Sequence, residues 1–219
     1  MNEITFGTTC ISGTNVKKKE LRSGGVIGTL VAAGAMIAAL PVVFDRMLTR
    51  PGVIPFEPLL DHLPPTDMST MIFGVIYAAV VLTIVLTAID PVRLLRGLQA
   101  YILLVALRMF CMVLVPLEPP LDLVTLQDPF AQLFYPSDVP FEKDLFFSGH
   151  TATAFLLFLA VPGRNWRPLF LAVTVFIGIA VLFQHVHWTV DVVAAPFAAW
   201  FAWFLSGMTV KWSTRSRAS

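Results

Sequence analysis

Hydrophobic and polar residues follow one another along this chain in long blocks rather than in short periods. Six apolar blocks each approach the ~20 residues with which an α-helix crosses a hydrocarbon core ~30 Å thick. Helices are expected, because backbone groups in lipid must pair within their own segment. The pattern therefore predicts an all-α integral membrane protein, a six-transmembrane-helix bundle. Its spans are expected at residues 25–44, 69–89, 97–117, 145–162, 168–184 and 188–207.

The blocks divide the chain into three parts. Residues 1–24 form a polar tail whose late basic cluster does not fit a cleaved signal sequence. Residues 25–207 form the six-span membrane domain, in which the fourth and fifth spans are short, and residues 208–219 form a basic tail.

Composition agrees with a membrane location. The 219 residues are 57% hydrophobic and 13% charged, and the mean hydropathy is +0.78. Soluble domains are about half apolar and about a quarter charged. The net charge of +1 gives no reason to expect a nucleic-acid partner. The two cysteines, Cys10 and Cys111, lie in a polar tail and an apolar block, so no disulfide is expected.

Basic residues fall mainly on one side of the predicted bundle. Eleven of the fifteen Lys and Arg residues lie in the segments of that side, and three lie in segments of the opposite side. Cytoplasmic segments are enriched in Lys and Arg, so both termini are expected to be cytoplasmic. All histidines of the chain then lie at or near the extracytoplasmic face, periplasmic or lumenal. They are His62, His150, His185 and His187.

His187 and Asp191 are the first candidates for chemistry. Four residues apart on a helix, they would share a face, and the carboxylate could orient one imidazole nitrogen and leave the other to act as a nucleophile or base. An ionisable group inside a span is costly unless it is partnered. A structural His–Asp pair that caps the helix start fits these two residues equally well.

His150 adds a second histidine at the same membrane depth. It begins the fourth span, after a glycine that permits close backbone approach, at a helix N-terminus that attracts anions. Ser148 is either a helix cap or a substrate contact. A lone His150 would be read as an interfacial side chain, but two histidines and an aspartate at one membrane depth indicate a functional site.

Two short motifs carry a resemblance to a known family. The pairing of DLFFSGHT (144–151) with HVHWTVDVVAA (185–195) resembles the two late motifs of the sphingomyelin synthase family, a branch of the type 2 phosphatidic acid phosphatase superfamily. The resemblance implies a catalytic triad of His150, His187 and Asp191, with a secondary role for His185. It also implies a six-span plan, an outward-facing site and no cofactor.

The chain departs from the lipid phosphatases of that superfamily. Their early Lys-x6-Arg-Pro motif is missing, and the arginine expected six residues before the second histidine is Val181. Those cations would bind a phosphomonoester dianion, whereas a phosphodiester carries one negative charge. Their absence favours phosphodiester chemistry. Other family motifs are echoed only loosely, by residues 63–67 and by Arg108.

Four residues are candidates for binding substrate: Arg108, His185, Ser148 and Asp144. Arg108 lies ~12 Å below the outer end of its helix at 1.5 Å per residue, where it would pair with an anion such as Asp191 or a lipid phosphate. Asp144 is either a helix cap or a residue that shapes the site. No metal is expected, because His185 and His187 would point apart on a helix.

The leading hypothesis is a lipid phosphodiester head-group transferase. It would move a phospho-alcohol from a phospholipid donor to a lipid alcohol acceptor, ceramide or diacylglycerol-like, through a phosphohistidine. The alternatives are a lipid phosphatase or phospholipase C with the same triad, and a non-enzymatic lipid-binding or transport protein. The sequence leaves open whether the chain forms a homo-oligomer.

Overall fold

A computed structural model describes residues 19–48, 50–126 and 146–216. Within these residues the regular secondary structure is α-helical, apart from one 3-10 turn at Leu60–His62 and a pair of antiparallel three-residue strands. The strands are β1 (Lys19–Leu21) and β2 (Thr214–Ser216). The helices are α1 (Ser23–Leu48), α2 (Ser69–Thr87), α3 (Pro91–Leu114), α4 (Gly149–Ala160), α5 (Arg167–Phe183) and α6 (Thr189–Trp212).

Four of these helices, α1, α2, α3 and α6, are long and apolar enough to cross a membrane. The prediction of a helical integral membrane protein is confirmed at that level. The other two are shorter: α4 has 12 residues and α5 has 17, or ~18 and ~26 Å of helix at 1.5 Å per residue. The fourth block was predicted from residue 145, but α4 begins only after Ser148, whose side chain caps it.

Small residues bring α3, α4 and α6 close together. The buried cluster between them contains Ala100, Ala152, Ala195, Ala199 and Ala202, and short side chains let membrane helices approach closely. A second cluster joins α5 to α2 and α4. The large side chains of α1 are mostly exposed, as expected for a helix that faces lipid.

A polar network lies at the end of the bundle where β1 and β2 pair. Gln99 on α3 donates through Nε2 to Thr29 Oγ1 (2.9 Å) and to Ser213 Oγ (3.0 Å). Thr209 on α6 donates to Gln99 Oε1 at 2.9 Å. These bonds satisfy buried polar groups and tie α1, α3 and the end of α6 together.

At the opposite end, two loops fold over the start of α6. Val53 and Leu117 form a parallel bridge between them. One loop supplies Glu57, whose carboxylate accepts from Thr189 N at 2.8 Å. The other supplies the carbonyl of Glu118, which accepts from Trp188 Nε1 at 2.9 Å. The beginning of α6 is therefore enclosed by residues far away in sequence.

Candidate active site

The turn between α5 and α6 carries both histidines of the second motif. Helix α5 ends in a reversal at His185, whose φ is 55°. The amide of His185 donates to Leu182 O (3.0 Å), and that of Val186 donates to Val181 O (3.3 Å). These two bonds form a Schellman motif with histidine at the left-handed position, where glycine is usual and histidine is tolerated better than most residues.

His187 therefore precedes α6, and the prediction that His187 and Asp191 lie together on a helix is wrong. Helix α6 begins at Thr189, and Asp191 is its third residue. The pair is formed nonetheless: His187 Nδ1 lies 3.6 Å from Asp191 Oδ2, with both side chains almost fully buried. This separation exceeds a good hydrogen bond, and catalytic contacts are often looser without substrate.

Asp191 also caps α6. Its Oδ2 accepts from the amide of Trp188 at 3.0 Å, satisfying one of the donors left open at a helix start. From the sequence, the His187–Asp191 pair is either catalytic or a structural pair that caps the helix start. In the structure, the carboxylate of Asp191 caps α6 and also lies beside His187.

His150 lies in the first turn of α4, beside this pair. The ring centroids of His150 and His187 are 6.4 Å apart. The backbone joins the two helix starts, because Ser148 N donates to the carbonyl of Asp191 at 3.1 Å. The structure thus brings His150 next to His187 and Asp191, which lie about 40 positions later in the sequence.

Ser148 is the N-cap of α4, one of the two roles considered for it. Its Oγ accepts from Thr151 N at 3.4 Å and lies 3.0 Å from Thr151 Oγ1. The side chain is completely buried. The serine therefore fixes where α4 begins, two residues before His150.

Arg108 lies against the backbone of α4. A Cβ added at Gly149 would be only 1.7 Å from Arg108 Nη1. Gly149 was expected to permit close approach, and the group that approaches it is this guanidinium. Arg108 thereby stands next to His150 and the start of α4.

Arg108, Gly149 and His150 line one end of a cavity of about 960 Å³. Most of its other lining side chains are apolar and come from α1, α2, α3 and α4, among them Ile76, Val80, Leu104 and Leu156. On α3 the lining runs from Pro91 to Arg108, ~26 Å along the helix. The cavity is thus apolar along most of its length, with Arg93 near one end and Arg108 beside His150 at the other.

The remaining candidates lie elsewhere or outside the described residues. The ring of His185 makes a hydrogen bond through Nε2 with Leu63 O at 3.1 Å, so this side chain holds a loop. His62 is exposed, and Asp144 lies outside the described residues.

Sequence reasoning missed Gln184, the residue before the histidine pair. Its side chain is fully buried and hydrogen-bonds to Met68 N, Ser69 Oγ, Asp67 Oδ1 and Val124 O. The signal that could have identified it is a glutamine at the end of an apolar block, since such a group needs internal partners.

Comparison with protein families agrees with this part of the chain. Residues 143–208 match the family described as PAP2 superfamily C-terminal. The match covers less than a third of the 219 residues and includes α4, α5 and most of α6, with both motifs. A comparison with curated proteins finds no match. The family match supports the type 2 phosphatidic acid phosphatase superfamily and, in general terms, a lipid phosphatase or phosphotransferase activity.

Proposed function

We propose that this protein is a membrane lipid phosphodiester head-group transferase. It moves a phospho-alcohol from a glycerophospholipid to ceramide or another lipid alcohol. The observation that carries the proposal is the pair of histidines, His150 and His187, whose ring centroids lie 6.4 Å apart, with His150 lining a long apolar cavity next to Arg108. A lipid needs both features, a polar end for its head group and an apolar space for its chains.

His187 is the proposed nucleophile. Asp191 lies near Nδ1, so it favours the tautomer with the proton on Nδ1 and the lone pair on Nε2. Attack by Nε2 on phosphorus forms the N–P bond and breaks the bond to the diacylglycerol oxygen. Asp191 stabilises the positive charge that develops on the imidazole, as the aspartate does in a Ser-His-Asp triad.

His150 is the proposed acid and base. In the first step it protonates the departing diacylglycerol oxygen. In the second step it takes the proton of the acceptor hydroxyl, whose oxygen attacks phosphorus while the N–P bond breaks. Reacting and catalytic groups must lie about 3–3.5 Å apart, and a phosphoryl group bound between the two rings can satisfy this on both sides.

The charge of the site supports a diester rather than a monoester. Arg108 is the cation next to His150, and one guanidinium matches the single charge of a phosphodiester. Val181 is fully buried and packs against α2 and α4. This position, where the phosphatases resembled by the chain carry an arginine, thus belongs to the apolar core.

We also propose that all six helices cross the membrane, with both termini in the cytoplasm and the site at the extracytoplasmic face. The pairing of β1 with β2 supports termini on one side, because it holds the two ends of the described chain together. Helix α6 separates β2 from His187 by 24 residues, ~36 Å of helix. The site and the termini are then at opposite ends of the bundle.

The test is head-group transfer by the full-length protein in vesicles. Donors are phosphatidylcholine and phosphatidylethanolamine, acceptors are fluorescent ceramide and fluorescent diacylglycerol, and products are identified by mass. We expect a new phosphodiester lipid with wild type, none with His187→Ala, and full activity with His62→Ala, which changes an exposed histidine.

Other products would replace the proposal with a related activity. Release of phosphocholine or phosphoethanolamine without a lipid product indicates a phospholipase C. Free phosphate from phosphatidic acid indicates a phosphatase. Equal rates for wild type and His187→Ala would refute the nucleophile, whatever the product.

A further inference from the structure

Gln184 links three separate parts of the chain at the histidine end of the bundle. Its carboxamide Oε1 accepts from the amide of Met68, and Nε2 donates to Ser69 Oγ and Val124 O, both at 3.1 Å. A longer contact of 3.3 Å joins Nε2 to Asp67 Oδ1. The backbone carbonyl of Gln184 accepts from Val124 N at 3.1 Å.

We infer that Gln184 is a positioning residue for the transfer reaction: its side chain holds His187 and His150 at their working separation. The inference rests on the proposed function and adds a residue to it. It is argued from two short paths through the structure, one to each histidine.

The first path runs along the chain to His187. Gln184 is the C-cap of α5, His185 makes the left-handed reversal, and His187 follows two residues later. The turn is also tied to the preceding loop, since Phe183 O accepts from Thr66 N at 2.8 Å. Fixing Gln184 therefore fixes the origin of a five-residue turn that ends at α6.

The second path runs through α2 to His150. The carboxamide binds Met68 and Ser69 at the very start of α2. Phe73, one helical turn further, packs edge-on against His150 with 5.5 Å between ring centroids. Gln184 thus sets the position of the helix that supports one ring and of the turn that carries the other.

No apolar side chain can replace these bonds. The group is fully buried, and the partners that it satisfies include a backbone amide and a backbone carbonyl. Losing the carboxamide leaves these groups to find new partners, so the start of α2 and the turn are free to move relative to each other. A displacement of ~1 Å at a reacting centre lowers a rate by about 100-fold.

The test compares Gln184→Met with Gln99→Met in the full-length protein in vesicles. Both replace a buried glutamine that binds several partners by an apolar residue of similar size, but Gln99 lies at the other end of the bundle. For Gln184→Met we expect kcat to fall roughly 10- to 100-fold, with KM for the donor within about twofold. For Gln99→Met we expect kcat within about twofold of wild type.

A second readout separates this inference from the proposed function. Amide hydrogen exchange over residues 185–188 should become faster in Gln184→Met and stay unchanged in Gln99→Met. If wild type transfers no head group to any acceptor, the proposed function fails, and the exchange experiment alone decides whether Gln184 holds the turn.

Two results would overturn the inference. One is an equal loss of kcat in both variants, which marks Gln184 as a general stability residue. The other is unchanged exchange over residues 185–188. If Gln184→Met does not fold, Gln184→Glu keeps the Oε1 acceptor and removes the amide donors, and the same fall in kcat is expected; kcat within twofold of wild type contradicts the role.

Discussion

The guanidinium of Arg108 lies where a side chain at residue 149 would be, because Gly149 has none. A Cβ at this position would come within 1.7 Å of Nη1 and 2.6 Å of Cζ. A side chain at residue 149 would therefore require the guanidinium of Arg108 to move away. The glycine of the Ser-Gly-His-Thr motif therefore determines where the cation next to His150 stands.

Gly149→Ala should accordingly disable the site through Arg108. We expect head-group transfer to fall at least ~10-fold, because a preorganised charge is displaced from the place where the phosphate would bind. The matched control is Gly74→Ala, in α2, where no atom lies within 4 Å of an added Cβ. This control should transfer at the wild-type rate.

A double-mutant cycle checks that the two residues act as one unit. In an Arg108→Ala background, Gly149→Ala should reduce transfer no further, since its target is already gone. The rates of the single and double variants are measured under identical vesicle conditions. Additive losses would show that Gly149 acts on something other than the arginine.

The left-handed backbone at His185 yields a prediction about stability. Left-handed φ costs an L-residue about 1–2 kcal/mol relative to glycine. His185→Gly and His185→Ala both lose the contact with Leu63 O, so their comparison isolates the backbone term. His185→Gly should unfold ~2–4 °C above His185→Ala, the shift that about 1 kcal/mol produces at this chain length. Equal unfolding temperatures in one detergent would contradict the left-handed assignment.

The hydropathy pattern was sufficient for the helices but not for the site. Apolar blocks gave α2, α3, α5 and α6 to within a few residues at most ends, since hydropathy reports burial in lipid or core. The caps that shorten α4, and the turn that leaves His187 outside α6, depend on hydrogen bonds that hydropathy does not register. The left-handed turn at His185 could not be predicted, because glycine, the usual residue at such a position, is absent.

The two motifs were sufficient to predict that His150, His187 and Asp191 lie together, whereas the other contacts of the site depend on tertiary structure. The spacing of His187 and Asp191 was sufficient to predict their contact, although for a different local geometry. The contacts of Arg108 with Gly149 and of Gln184 with Val124 join residues 41 and 60 positions apart. A single sequence carries no pattern for such pairs, because nothing local fixes which distant segment meets which.

Acid should weaken the loop that precedes α2. The pKa of Asp67 lies below its ordinary value, because its carboxylate accepts hydrogen bonds, first from the backbone amide of Ser69, then from the Ser69 side chain and Gln184. A carboxyl group whose pKa is lower in the folded than in the unfolded protein stabilises the fold at pH values above its unfolded pKa, which is about 3.9 for aspartate. This contribution is lost as the pH falls through the folded pKa.

The comparison of wild type with Asp67→Asn measures that contribution. Wild type should be the more stable of the two at about pH 6, and the difference should shrink as the pH falls below about 4. Thermal unfolding of both proteins across this range gives the result. A difference that stays constant or grows towards acid pH would show that the carboxylate does not stabilise the loop.

Asp191 offers the sharpest separation of catalysis from folding, because it has two partners with different demands. Trp188 N needs only a hydrogen-bond acceptor, which the amide oxygen of asparagine supplies. Orienting the His187 imidazole and stabilising its positive charge require a carboxylate. Asp191→Asn should therefore keep the unfolding temperature near that of wild type and lower kcat by roughly 10²- to 10⁴-fold, the range seen when an imidazole loses its orienting aspartate. Asp191→Ala should lose both the cap and the activity, and losing the cap should lower the free energy of unfolding by about 1 kcal/mol. Asp61→Asn, which changes an exposed carboxylate in the 3-10 turn, should be active and stable. If Asp191→Asn transfers head groups at the wild-type rate, the carboxylate serves α6 alone and His187 does not depend on it.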